Sequence, residues 1–107
     1  MEAVLGFYRE LLGLPELRRQ CEGDGSVRSV WLGAEGVVVM VERAAAGEPA
    51  VSGASMELVA FAVSAAEREV LQARLAAAGV AVEARTEHTV YVRDPEGRRV
   101  GLSSYAL

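Results

Sequence analysis

A chain of 107 residues, 51% apolar and 24% charged, has the size and balance of one soluble domain. It has no run near the roughly eighteen apolar residues of a membrane span, and its start lacks the basic-then-apolar order of a signal peptide. The net charge of −4, with all eleven basic residues arginine in blocks no longer than two, argues against a nucleic-acid surface, while the lone Cys21 excludes an internal disulfide and fits a reducing cytoplasm.

Ala3, Val4, Phe7, Tyr8, Leu11 and Leu12 recur at helical spacing, which predicts a helix over residues 2–12 with Gly13 as its C-cap. Leu14 to Glu22 reads as a strand entered after Pro15, the Gly and Asp cluster from Glu22 to Ser26 as a turn, and Val27 to Leu32 as a second strand. Gly33 to Gly36 turns into Val37 to Glu42, whose valines and methionine form the most strand-like run of the chain. Arg43 to Ser55 has small residues, Gly and Pro without a period, and reads as a connection.

Met56 to Val63 is the next predicted strand. Ser64 and Glu67 then form a capping box that opens a helix to Ala78, with Val70, Leu71, Leu75 and Ala78 on one face and Gly79 beyond its end. Val80 to Glu87 alternates as a strand. Thr89 to Ser103 reads as a hairpin, because Asp94, Pro95, Glu96 and Gly97 supply a side-chain acceptor, a fixed φ and a permissive last position. Its apolar positions Val90, Val92, Val100 and Leu102 are expected to pack beneath the helices together with Val59, Phe61 and Val63.

Superposing the glycines at positions 13 and 79 aligns two copies of a helix followed by three strands. The fold class is therefore α+β, with paired βαβββ modules of which the first lacks its opening strand. Module one is placed at residues 1–42, a linker at 43–55 and module two at 56–107 of a single domain.

The runs FYRELLGL from Phe7, MELVAFAV from Met56 and YVRDPEGRRVGL from Tyr91 resemble, in order and distance, the vicinal oxygen chelate superfamily of glyoxalase I, extradiol dioxygenases, fosfomycin-modifying enzymes and bleomycin resistance proteins. The resemblance implies curved sheets around a cleft, and in the enzymes a divalent metal held by His, Glu or Gln from four strands. Carried over residue by residue, one ligand position falls on Leu58, one on Gly101 and one at or near Met40, while the fourth belongs to the opening strand that this chain does not contain. No aligned ligand remains. The single histidine, His88, reads as a solvated residue at a strand edge, and Cys21 as an inert thiol without a His or Asp neighbour.

The resemblance therefore implies a metal-free protein without cofactor or catalytic residue, which binds a small planar or cationic molecule as the bleomycin resistance proteins do. The alternative is a metal-dependent glyoxalase- or dioxygenase-type enzyme with non-standard ligands drawn from Glu42, Glu57 and His88. If Leu58 and Gly101 keep the inward direction of the ligands they replace, alternation turns Met40, Glu42, Ala60, Tyr91, Arg93, Ser103 and Tyr105 to the same face, and Trp31 adds a stacking surface. The opening strand of a module normally pairs with its last, so Val37 to Glu42 is expected to be an open edge covered in a homodimer.

Overall fold

The computed structural model describes residues 1–44 and 58–105, and the chain divides into two units, Met1–Pro49 and Ala50–Leu107. Most of the predicted connection, the predicted strand start at Met56, and Glu57 lie outside the described residues. No helix among the described residues is long and apolar enough to cross a membrane.

The first unit opens with helix α1, Glu2–Leu5, which runs on into a π-helical stretch, Gly6–Leu11. The regular α-helix expected from periodicity is thus corrected. In the wider turn the Leu12 amide donates to the Phe7 carbonyl at 3.0 Å, and the extra residue per turn shifts the core-facing line. Val4, Leu5, Phe7, Tyr8 and Leu12 are buried, whereas Ala3 is exposed and Leu11 half-buried. Phe7 and Tyr8 meet edge to face with centroids 5.0 Å apart.

Three antiparallel strands follow, β1 (Glu16–Cys21), β2 (Val27–Ala34) and β3 (Val37–Glu42), in the order β1-β2-β3. Strand β2 continues two residues past its predicted end, because Gly33 is part of the strand and lies under Leu17, whose Cδ1 would stand only 3.1 Å from a Cβ at position 33. The turn is shorter than predicted. Glu35 and Gly36, with φ of 42° and 85°, form a two-residue loop closed by the Ala34 and Val37 pair, the geometry whose twist suits a hairpin. Val30, Leu32 and Val41 are buried on one face of this sheet.

The second unit contains β4 (Leu58–Ala62), α2 (Ala65–Ala77), β5 (Ala84–Arg85), β6 (Thr89–Arg93) and β7 (Arg99–Ser103), in the sheet order β4-β7-β6-β5. The Ser64 side chain caps α2 by accepting from the Glu67 amide at 3.0 Å. At the other end the Gly79 amide donates to Ala76 and the Val80 amide to Leu75, a Schellman arrangement that needs the left-handed φ of 82° at Gly79.

The three strands after α2 pair antiparallel, β5 with β6 and β6 with β7. Strand β4 pairs with β7 in parallel, as a strand, crossover helix and returning strand require, and this is the expected pairing of opening with last strand. The strand predicted over Val80 to Glu87 shrinks to Ala84–Arg85, although Glu83 and Thr86 still donate to Tyr91 and Thr89 on β6. Leu75, Val90, Val92, Val100 and Leu102 form the core. Val59 is 45% exposed, Val70 is also exposed, and Phe61 and Val63 are only half-buried, contrary to expectation. The reason is position: β4 is the outermost strand, and α2 rests mainly on β7, one strand further in. The hairpin turn is tied by Asp94, whose Oδ1 accepts from the Glu96 and Arg98 amides at 2.9 Å each.

Candidate functional site

With Val30, Leu32 and Val41 turned to the core, period-2 alternation places Ser29, Trp31 and Gly33 on the other face of the first sheet. Their register partners there are Glu42, Met40 and Val38. A register shift in β1 at Leu17 brings two neighbouring residues onto this face. Leu17 covers Gly33, and the Arg18 guanidinium stands over the Trp31 ring at 5.4 Å. Ser29 donates to Gln20 at 3.2 Å. Trp31 is half-buried and its Nε1 is buried with no hydrogen-bond partner among the described residues. Met40 and Val38 are exposed.

In the second sheet Val90, Val92, Val100 and Leu102 face the core, and a ladder of opposite-facing residues crosses the strands. Leu58, Ala60 and Ala62 on β4 stand beside Arg99, Gly101 and Ser103 on β7, which stand beside Arg93, Tyr91 and Thr89 on β6. Tyr91 leans over the bare Gly101. A Cβ at that position would lie 3.4 Å from Tyr91 Cε1 and 3.5 Å from Ala60 Cβ, so the ring occupies the space into which a longer side chain would extend. Arg99 lies over the ring of Tyr91, its guanidinium carbon 4.6 Å from the centroid.

Arg93 is held by Glu83 through Nε to Oε2 at 2.5 Å and Nη2 to Oε1 at 2.9 Å, and its Nη1 donates to the Gly97 carbonyl at 3.0 Å. These hydrogen bonds hold the Glu83 carboxyl below the usual carboxylate range and raise Arg93 further. Thr89 Oγ1 donates to Ser103 Oγ at 2.8 Å.

The expected ligand-facing residues thus form two sets: Trp31, Met40 and Glu42 share a face in the first unit, and Leu58, Ala60, Tyr91, Arg93, Gly101 and Ser103 share one in the second. Tyr105 departs from expectation. Strand β7 ends at Ser103, so alternation does not carry to Tyr105, which is 63% exposed and sets its ring against His88 at 5.3 Å between centroids. Leu17, Arg18, Glu83 and Arg99 were not singled out from the sequence. Arg99 was within reach, since the turn from Asp94 to Gly97 pairs it with Arg93 across the hairpin. Cys21 is exposed at the end of β1. Among the described residues no three His, Cys, Asp or Glu side chains lie close enough to hold a metal ion.

Three solved structures define what this arrangement is similar to. A fosfomycin resistance protein, FosX, from Listeria monocytogenes, complexed with Mn(II) and 1S,2S-dihydroxypropylphosphonic acid, superposes with a TM-score of 0.80 at 15% identity, over 100% of this chain and 85% of its own. Lactoylglutathione lyase from Agrobacterium tumefaciens gives 0.67 at 24% identity, over 95% and 83%. The trypanothione-dependent glyoxalase I of Leishmania major gives 0.74 at 20%, over 96% and 77%. At these identities the likeness is one of fold. No curated protein matches the chain. The family model matches residues 1–102, nearly the whole of the two-sheet architecture, and the chain belongs to the Glyoxalase/Bleomycin resistance protein/Dioxygenase superfamily.

Proposed function

We propose that this chain is a metal-free member of the superfamily that binds a small planar molecule and does no chemistry on it. The observation that carries the reading is the packing at Gly101. Where the resemblance puts a glutamate ligand there is no side chain, and the Tyr91 ring rests 3.4 Å from where a Cβ would stand. Leu58, at another family position, and Met40, at or near a third, offer hydrocarbon and a thioether in place of hard or imidazole donors. The side chains present therefore do not fit the family's metal. What they offer instead is contact surface: the Tyr91 ring, the Trp31 ring with Met40 beside it, and the small Ala60 that leaves room. Arg18 and Arg99, stacked on the Trp31 and Tyr91 rings of these faces, weigh against the cationic ligand that the sequence left open.

Metal analysis of dialysed protein followed by a thermal-shift screen of planar compounds tests this. The expected result is no stoichiometric metal and a rise in Tm with a subset of the compounds. Stoichiometric Zn, Mn, Fe or Ni, lost on Glu42→Gln or His88→Ala, would overturn it in favour of a metal-dependent enzyme.

A homodimer belongs to the same proposal. Among the described residues strand β3 is an edge with β2 as its one neighbour, and it carries Val37 at 64% exposure with Val38 and Met40 also exposed. In the second unit β7 has β4 on the corresponding side. A strand or surface of a second copy on β3 supplies what β4 supplies to β7.

A further inference from the structure

We propose that the face of the second sheet receives an anionic group, a carboxylate or a phosphate or phosphonate, on the guanidinium of Arg99. The inference rests on the binding reading above and adds the charge of what is bound. The hairpin carries three arginines, and two are neutralised where they stand: Arg93 by Glu83 and Arg98 by Asp94, at 2.5 and 3.4 Å. Arg99 has no carboxylate within ion-pair distance among the described residues. It is nevertheless half-buried, and its Nε is buried with no hydrogen-bond partner among the described residues. Glu83 is near enough to feel the charge of Arg99 but is committed by hydrogen bonds to Arg93, and a guanidinium drawn partly out of water with no carboxylate bonded to it is unfavourably placed unless something else supplies one.

The surroundings are those of a receptor. Tyr91 holds the guanidinium by its face, 4.6 Å from ring centroid to guanidinium carbon, which leaves the N–H edge of a rigid planar fork for an acceptor. Leu58, directly across the ladder on β4, is apolar and strengthens any charge-assisted bond made beside it. Arg93, on the other side, is already satisfied by Glu83 and does not compete. The next rung holds Ala60 and the Tyr91 ring leaning over Gly101, a small side chain beside an aromatic wall against which the body of an aryl or short alkyl acid can lie. Oxyanion at Arg99 and apolar body over Ala60, against the Tyr91 ring, is a two-point fit for one small molecule.

Three probes of similar size separate the contributions: phenylphosphonate, benzoate and neutral benzamide, titrated into 15N-labelled protein while the arginine Nε–H and backbone amide signals are followed. The Arg99 Nε–H signal, assigned by its loss in Arg99→Gln, is expected to move with phenylphosphonate and benzoate and not with benzamide. Arg99→Gln should weaken phenylphosphonate binding roughly 10- to 100-fold, the span of a charge-assisted bidentate contact, and leave benzamide binding unchanged. Arg99→Lys, which keeps the charge without the fork, should recover only part of the loss and shows that the effect is not misfolding. Phenylphosphonate binding equally to wild type and Arg99→Gln would sink the anion site while leaving a planar-ligand protein intact. If none of the three probes moves any signal on β4, β6 or β7, both readings fall together.

Discussion

The ion pair between Glu83 and Arg93 sets a residue-scale test of the site's electrostatics. Because hydrogen bonds from Arg93 lower the Glu83 carboxyl below its ordinary value of 4.5, the folded state favours the charged form. The stability this contributes is present above pH 4.5 and is lost as the pH falls below that value through the lowered folded-state one. Glu83→Gln should therefore reduce the denaturation midpoint at pH 7 and make no difference near pH 2; an equal effect at both would show that the amide merely packs differently. The effect at pH 7 should be small, since both side chains are about a third exposed. Sequence alone put Arg93 on this face by alternation. Its partner was hidden, because Glu83 sits in a stretch whose pairing shrinks to two residues, and a period-2 pattern does not say how long a strand stays in register.

At the scale of elements, much was legible where local chemistry decides the backbone. Asp94, Pro95 and Gly97 marked the turn, the Val37 to Glu42 run gave β3 to the residue, and Ser64 marked the start of α2. Replacing the cap tests that last reading: Ser64→Ala should lower stability by about 1 kcal/mol by chemical denaturation, because the Glu67 amide loses its acceptor. A change indistinguishable from zero would mean that the first turn of α2 is satisfied by water. What local chemistry does not decide was missed. The π-helical stretch after Leu5 depends on how Phe7, Tyr8 and Leu12 meet the core, and its apolar spacing is close enough to an α-helix to be read as one. Val59 has the pattern of a core residue, but its exposure follows from β4 being outermost, which is a property of the sheet and not of the segment. The two site sets follow the same division. Face sharing within each sheet is alternation and was readable, whereas the stacking of Arg18 on Trp31 and Arg99 on Tyr91 depends on a bulge and a ladder offset.

For the whole molecule the open question is what lies along β3. The Arg43 amide donates to the Arg28 carbonyl, so in an antiparallel ladder the hydrogen-bonded pairs include Val41 with Val30 and Val39 with Leu32. The amides of Val38, Met40 and Glu42 then face away from β2. A proline at position 39 would break the sheet itself. Val38→Pro removes an outward donor and leaves the β2 ladder intact. If a second copy adds to this edge, sedimentation at micromolar concentration should show a dimer for the wild type and a monomer for Val38→Pro. A wild type running as one 11.3 kDa species would exclude the arrangement. The second sheet has a different vulnerability, set by the order in which the ribosome releases it. Strand β4 emerges first and β7, its ladder partner, last. At about 5–20 residues per second, the nascent chain carries Leu58 to Ala62 unpaired for roughly 2–8 seconds. During that interval α2 is already long enough to form beside it, and the crossover waits on the final hairpin to close.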